Sequence, residues 1–424
     1  MNVLLIHQAF ASPRDPGGTR HFELGRHLVQ RGHGFTIVAS DVSYLTGEQT
    51  GGAARRGLFS EENFDDVRVL RTYIFRSLHK SFFWRIVSFL SFMLTSIWAA
   101  LRAGKIDVVM GTTPPIFQAV SAWLVAALRR KPFLLEVRDL WPEFAIDMGI
   151  LKNPALIWLS RKLENFLYSR ATHLLVNSPA YRDYLLKKGI PAERISFISN
   201  GVDPDMFDPS ATGKNIRDEW KLDGQFVVTY AGALGIANDI PTVLRAAERL
   251  RDEPRIRFLL VGDGKERKNL EEQTRKMSLP NVTFAGSRPK NEMNDILAAS
   301  DACLAILQNI PMFRTTYPNK VFDYMAAARP TVLAIDGVIR DVVERANGGI
   351  FVQPGDDAAL AAAVKTLSND RSRAREMGTA ARDFVTKNFN RHDQAAQFVA
   401  LAEKLGQINH EDHEAHKVGT KNFF

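Results

Sequence analysis

Along this chain, short runs of Val, Ile, Leu and Phe alternate with longer stretches in which apolar residues recur at helical spacing. That alternation predicts a parallel sheet covered by helices. In the first part the expected strands lie at 3–6, 35–39, 67–72, 108–111, 133–137, 173–176 and 195–198. A second series begins at 226–231 and continues through 257–261, 282–284, 302–306, 331–334 and 349–352. Between them, Asn200-Gly201-Val202-Asp203-Pro204-Asp205-Met206-Phe207 is rich in turn residues and breaks the pattern. The fold class expected is α/β, with one domain over 1–200 and a second over 201–380. Amphipathic helices follow, and the polar segment 409–424, which lacks periodicity, is expected to be disordered.

One helical stretch differs from the rest. Phe82–Leu101 reads FFWRIVSFLSFMLTSIWAAL, with Arg85 as its one charge. Ser88, Ser91, Thr95 and Ala99 form a narrow stripe of small residues, and Phe89, Leu90, Phe92, Met93, Leu94, Ile97 and Trp98 make up the remaining surface. The length could span a bilayer, but a spanning helix here would divide a single sheet. A buried core helix stays open. The reading adopted is a helix packed on its domain by the small stripe, with its bulky side at a membrane surface. Arg76, His79, Lys80, Arg85, Arg102 and Lys105 flank it and could meet anionic headgroups. Trp84 and Trp98 also suit an interface.

Composition narrows the picture only modestly. A chain of 424 residues can bury two cores. The single cysteine, Cys303, excludes a disulfide framework or a zinc cluster of thiolates. Met1-Asn2-Val3-Leu4-Leu5-Ile6 enters a strand directly, without the pattern of a leader, so a cytoplasmic or inner-face location is expected. The net charge of +8 is spread among acidic residues without a long basic block, which argues against nucleic acid.

The candidate chemistry is concentrated late in the chain, in Thr315-Thr316-Tyr317-Pro318-Asn319-Lys320-Val321-Phe322-Asp323-Tyr324-Met325-Ala326-Ala327. Pro318 suits a first helical position and Thr316 could cap the turn. The free amides of that turn, beside Asn319 and Lys320, would favour phosphate. Asp323 could then reach a ribose hydroxyl, although a solvated Lys320–Asp323 pair fits the spacing as well. Glycine turns follow several strands: Pro16-Gly17-Gly18-Thr19-Arg20, Tyr230-Ala231-Gly232 leading to Asn238, Val261-Gly262-Asp263-Gly264-Lys265, and Gly286-Ser287-Arg288-Pro289-Lys290. Glu136-Val137-Arg138-Asp139-Leu140-Trp141-Pro142-Glu143 closes another strand, where open α/β sheets bind ligands. Arg138 stays protonated, so it cannot act as a base. It could hold an acceptor phosphate or simply pair with Asp139.

Taken in order, these motifs resemble the retaining GT-B glycosyltransferases of family four. The Arg-Asp-Leu-Trp-Pro-Glu form is similar to that of bacterial members that transfer amino sugars during surface-polysaccharide synthesis. The resemblance implies two Rossmann-like domains facing across a cleft, with helices at 381–408 returning to the first. It implies a UDP-sugar donor held by Gly17, Gly232, Asn238, Lys265, Arg288, Thr315, Pro318, Asn319, Lys320 and Asp323. Gly18, Arg138 and Asp139 would serve the acceptor side and the chemistry. The expected acceptor is a lipid-linked (polyprenyl diphosphate) saccharide, and neither a metal nor a cofactor is expected. Two positions depart from the family pattern: Thr315 stands where a carboxylate is usual, and Asn238 where a Lys or Arg is usual. A non-hydrolysing UDP-sugar epimerase, or a non-catalytic binder of nucleotide sugar or lipid, remains as an alternative.

Overall fold

The computed structural model describes the chain from Met1 to Lys421 apart from residues 44–46, 48, 51–58 and 77–81, with backbone alone at 82–83 and 408–421. His79 and Lys80, named above as possible headgroup contacts, lie outside the described residues. The chain forms two compact units. Unit 1 comprises Met1–Ser12, Thr19–Ile198 and His392–Phe424, and unit 2 comprises Pro13–Gly18 and Ser199–Arg391.

Unit 1 is built from β1 (Asn2–Ile6), α1 (Arg20–Gln30), β2 (Gly34–Ser40), β3 (Phe59–Phe64), β4 (Val67–Thr72), α2 (Phe82–Leu101), β5 (Val108–Thr113), α3 (Ile116–Arg129), β6 (Phe133–Val137), α4 (Glu143–Asp147), α5 (Pro154–Arg170), β7 (His173–Val176), α6 (Pro179–Lys187) and β8 (Ile195–Phe197). The sheet order is β3-β4-β2-β1-β5-β6-β7-β8, parallel except where β3 pairs antiparallel with β4. β3 is the one strand the hydrophobic pattern did not predict. Its sequence, Phe-Ser-Glu-Glu-Asn-Phe, is largely polar, and it pairs because Asp65 and Asp66 both take positive φ (47° and 63°) in a two-residue hairpin.

α2 rests on β2, β4 and α3. Its buried stripe is Ser88, Phe92, Ser96, Ala99 and Ala100, so the expected stripe is displaced: Phe92 and Ser96 take the places assigned to Ser91 and Thr95. The reason lies in the chain leaving β4. Ser91 Oγ accepts from the Phe75 amide at 2.8 Å, and Thr95 Oγ1 donates to the Tyr73 carbonyl at 2.8 Å. Those hydroxyls serve that passing backbone, and the Phe92 ring fills the core. The helix is not a buried core element, since Trp84 is 40%, Leu90 38% and Leu94 64% exposed.

Unit 2 contains α7 (Lys214–Glu219), β9 (Phe226–Ala231), α8 (Ile240–Arg249), β10 (Ile256–Val261), α9 (Arg267–Lys276), β11 (Val282–Gly286), α10 (Met293–Ala298), β12 (Ala302–Ile306), α11 (Asn319–Ala326), β13 (Thr331–Ala334), α12 (Val338–Arg345), β14 (Gly349–Phe351), α13 (Asp357–Asn369) and α14 (Arg371–Asn388). Its six strands are all parallel, in the order β11-β10-β9-β12-β13-β14. Apolar side chains are buried on both faces, Val228 and Leu260 on one, Cys303, Ala305 and Phe322 on the other. That burial pushes the Cys303 thiol pKa up.

The return to unit 1 comes later than the expected 381. α14 stays with unit 2, where Ala381 and Val385 are buried and Arg382 donates to the Phe207 carbonyl (2.8 Å) and to that of Ala326. Only α15 (Arg391–Lys421) crosses, burying Phe398, Leu401 and Leu405 beside Val3, Phe35 and Ile37. The backbone of α15 continues to Lys421, where a disordered segment from 409 was expected. Residues 409–421 contain no proline to stop a helix that already has many turns.

Candidate active site

In an open α/β sheet, ligands gather beyond the carboxyl ends of the strands where the strand order reverses. Each unit has such a point, between β1 and β5 in unit 1 and between β9 and β12 in unit 2.

In unit 2 the reversal point is occupied by the start of α11. Pro318 is its N-cap (φ −66°, ψ 124°), one residue before the position predicted, and no side chain caps the turn. Thr316 does not cap it; its hydroxyl donates to the Phe313 carbonyl at 2.9 Å, closing the 3-10 turn Pro311–Thr315. The first turn of α11 therefore keeps amides available for an anion. Lys320 extends from it toward β9, where Nζ lies 2.9 Å from Tyr230 Oη, 3.2 Å from Asn238 Oδ1 and 4.1 Å from the centre of the Tyr230 ring. Among the described residues no carboxylate pairs with this ammonium. Burial pulls its pKa down to about 7. A Cβ on Gly232 would lie 2.7 Å from Nζ, so glycine at that position leaves room for the lysine head. Tyr324, also on α11, clamps the end of β9: its hydroxyl accepts from the Ala231 amide at 2.8 Å and lies 3.2 Å from the Ala231 carbonyl.

Asp323, expected to meet ribose, forms an ion pair of 2.6 Å with Lys290, and both side chains are largely buried. Arg288 was expected to supply charge to the donor. Instead it pairs with Glu219 and, at 3.4 Å, with Glu292, and stacks 5.0 Å over Trp220. Lys290, two residues on, is the cation that reaches α11. Thr315 spends its hydroxyl on the Met312 carbonyl at 2.6 Å. Lys265 is exposed on the turn between β10 and α9. Gly17 and Gly18 belong to unit 2, with the Cβ position of Gly18 3.3 Å from Asn319 Nδ2.

In unit 1 the reversal point is held by Gln118, whose Oε1 accepts from the Gln8 amide at 2.6 Å while Nε2 donates to the Thr112 carbonyl at 2.7 Å. Beside it lies a charge cluster. Glu136 is fully buried and meets Arg20 Nε at 3.1 Å and His21 Nε2 at 2.5 Å. Burial alone would raise its pKa, but His21, Arg20 and Arg138 override that and hold it well below the usual carboxylate range. Arg138 does not pair with Asp139. Its Nη1 lies 3.3 Å from both His7 Nε2 and His21 Nδ1. A guanidinium can only donate, so both of those nitrogens accept, and His21 gives its one proton to Glu136. Both imidazoles are neutral: burial, with Arg138 and the neighbouring ring also acting on His7, lowers their pKa values. Two arginines against one glutamate leave one positive charge, which the neighbouring Asp139 offsets when it is ionised.

Asp139 sits one residue beyond Arg138, with Tyr181 Oη 3.5 Å from its Oδ1. Burial raises its pKa to about 6, despite Arg138 and Tyr181. Sequence reasoning missed His7, His21, Tyr230 and Lys290. A usable signal existed for His7 and Tyr230, since a polar residue at the carboxyl end of a strand is where this topology places function. For Lys290 there was none.

Residues 17–201 match the family described as glycosyl transferase 4-like domain, and residues 225–370 match glycosyl transferases group 1. The probable glycosyltransferase WbjE of Pseudomonas aeruginosa is 28% identical over 320 residues, covering 74% of this chain and 78% of its own. A GDP-mannose-dependent alpha-mannosyltransferase of Mycolicibacterium smegmatis is 29% identical over 239 residues, 56% of this chain and 57% of its own. Among solved structures, Anabaena Alr3699/HepE in complex with UDP-glucose shares the fold with a TM-score of 0.71 and 19% identity, covering 95% of this chain and 99% of its own.

Proposed function

We propose that this chain, which belongs to the family 4 glycosyltransferases of the GT-B fold, moves an N-acetylated amino sugar from a UDP-sugar to a polyprenyl diphosphate saccharide, with retention and without a bound metal. The observation that carries the donor half is Lys320, a desolvated ammonium with only neutral partners at the uncapped start of α11. A nucleotide diphosphate supplies the missing countercharge. As the bond from the sugar's C1 to the diphosphate oxygen breaks, negative charge grows on the leaving group, and Lys320 with the α11 amides stabilises it. Asp323, steadied by Lys290, accepts from a ribose hydroxyl. Asn238 orients the lysine head.

On the acceptor side, the Arg138 guanidinium, held by two imidazoles, suits the diphosphate of a lipid-linked saccharide. The acceptor's hydroxyl oxygen bonds to C1 and its proton leaves. Asp139, with its carboxyl raised to about 6, is the candidate in unit 1 for taking that proton. The exposed face of α2 supports work at the inner face of a membrane.

The test is transfer of radiolabel from a panel of UDP- and GDP-sugars into lipid extracts of bacterial membranes, with Lys320→Ala and Asp323→Ala run beside the parent. Label in a polyprenyl diphosphate product from one UDP-sugar, lost in both variants, is the expected result, and the product's anomeric configuration by NMR reads the stereochemistry. A GDP donor would overturn the nucleotide assignment. A product formed equally well by Lys320→Ala would remove the role given to that lysine.

A further inference from the structure

Several lysines of unit 2 are each held by a carboxylate: Lys290 by Asp323, Lys214 by Asp218, Lys276 by Glu272 and Lys365 by Glu253. Lys320 meets only neutral groups. We propose that Lys320 is an acylation site, whose amine attacks a small acyl phosphate seated at the start of α11 and becomes an amide that closes the donor site. This rests on the reading of the α11 start as a phosphate seat given above.

The hydrogen bonds around Nζ suit a neutral amine. The Tyr230 hydroxyl donates its proton to the Ala233 carbonyl at 2.7 Å, so toward Lys320, 2.9 Å away, its oxygen can only accept. Asn238 Oδ1, at 3.2 Å, is a second acceptor. A neutral amine has two N–H bonds and one lone pair. Tyr230 and Asn238 satisfy both protons, and among the described residues no donor meets the lone pair. Burial acts in the same direction: it draws the pKa to about 7, so a large share of the amine is nucleophilic at neutral pH. The residue is not sealed, and part of its surface stays open to solvent.

Position selects the reagent. Lys320 stands on the first turn of α11, where no side chain caps the amides and phosphate is favoured. An electrophile carried on a phosphate is thus held within reach of Nζ. The lone pair attacks the acyl carbon, and the bond from that carbon to the bridging phosphate oxygen breaks. Orthophosphate leaves with the electron pair and takes the proton shed by nitrogen, so no further reactant is needed. The amide is uncharged, and a nucleotide diphosphate then finds no ammonium there. Donor binding thereby responds to the supply of acyl phosphate.

The experiment incubates the full chain with acetyl phosphate at neutral pH and follows each lysine-containing peptide by mass spectrometry. Lys320 should be acetylated about tenfold faster than the exposed Lys265, as expected of a desolvated amine. UDP and inorganic phosphate should both slow it. The acetylated protein should bind UDP about a hundredfold more weakly by calorimetry, the loss expected when a charge-assisted contact is removed. Asn238→Asp, which sets a carboxylate beside Nζ and keeps it protonated, should slow acetylation of Lys320 by about tenfold. Acetylation of Lys320 no faster than that of Lys265 would overturn the site. The same preference for Lys320 with a phosphate-free acetyl ester would overturn the seating of the acyl phosphate. Equal rates in Asn238→Asp and the parent would overturn the role of the neutral partners. If the parent resists acetyl phosphate while Lys320→Ala loses UDP binding, the acylation site falls and the donor site stands. If Lys320 is acetylated but UDP neither protects it nor binds less well afterwards, the donor site itself falls.

Discussion

Each unit places a cationic centre where its strand order reverses, yet the two centres are built on opposite principles. In unit 1, Glu136 is surrounded by Arg20 and, through His21, Arg138, so most of the buried charge is answered within the protein. In unit 2, Lys320 has a phenol and an amide for company and no carboxylate. The first arrangement is stiff and holds one arginine ready. The second is a desolvated cation whose countercharge must arrive with a ligand. One topology can thus supply either a self-contained anchor or an incomplete ion pair, and the difference lies in a single acidic residue.

Removing that acidic residue should have the largest effect. Glu136→Gln leaves Arg20 buried without its counterion and is expected to cost about 3–5 kcal/mol of stability by chemical denaturation. A loss below about 1 kcal/mol would show that Glu136 is not the keystone of unit 1. Lys320→Ala should leave stability nearly unchanged or improved, because it removes a desolvated charge. It should weaken UDP binding by about a hundredfold, read by calorimetry, since a charge-assisted contact is worth roughly 1.5–3 kcal/mol.

The centres should also respond to pH in opposite ranges. Free Lys320 titrates near 7 and a bound diphosphate favours its charged form, so binding takes up a proton above that pH. UDP affinity should therefore fall as pH rises from 7 to 9, by up to about tenfold per unit, and the slope should vanish in Lys320→Ala. In unit 1, His7 and His21 have folded pKa values below 6.5, so the unfolded chain binds more protons in acid. Stability is then present above about pH 6.5 and lost as pH falls toward the folded values. Melting temperature followed from pH 7 to 5 should drop, and His7→Gln should flatten part of that drop, a difference of about 1 kcal/mol. A parent profile that stays flat over this range would show that the imidazoles are not held neutral.

Much of the fold was legible in the residues alone. All thirteen strands expected from the hydrophobic pattern occur, because a strand buried on both faces of a parallel sheet writes itself as a short apolar run. β3 escaped, being polar and held at an edge by its hairpin turn. On α2 the helix was legible but not its rotation: small residues marked the buried face approximately, while Ser91 and Thr95 were diverted to backbone groups of the segment after β4. At the site, Lys320, Asn238 and Gly232 were expected near one another and come together. Arg288 and Lys290 could not be ranked, since both follow the same strand and only packing decides which cation reaches Asp323.

By itself the sequence determined the order of strands and helices, the place where one series ends and the next begins, and the run that opens α11. These depend on neighbours in the chain: periodicity, turn residues and a proline before a helix. Only the tertiary structure decided which charges meet. His7 reaches Arg138 across 131 positions and Lys320 reaches Tyr230 across 90. The state of each group, neutral imidazole or desolvated ammonium, follows from those distant partners and from lost water, neither of which has a local signature in the chain.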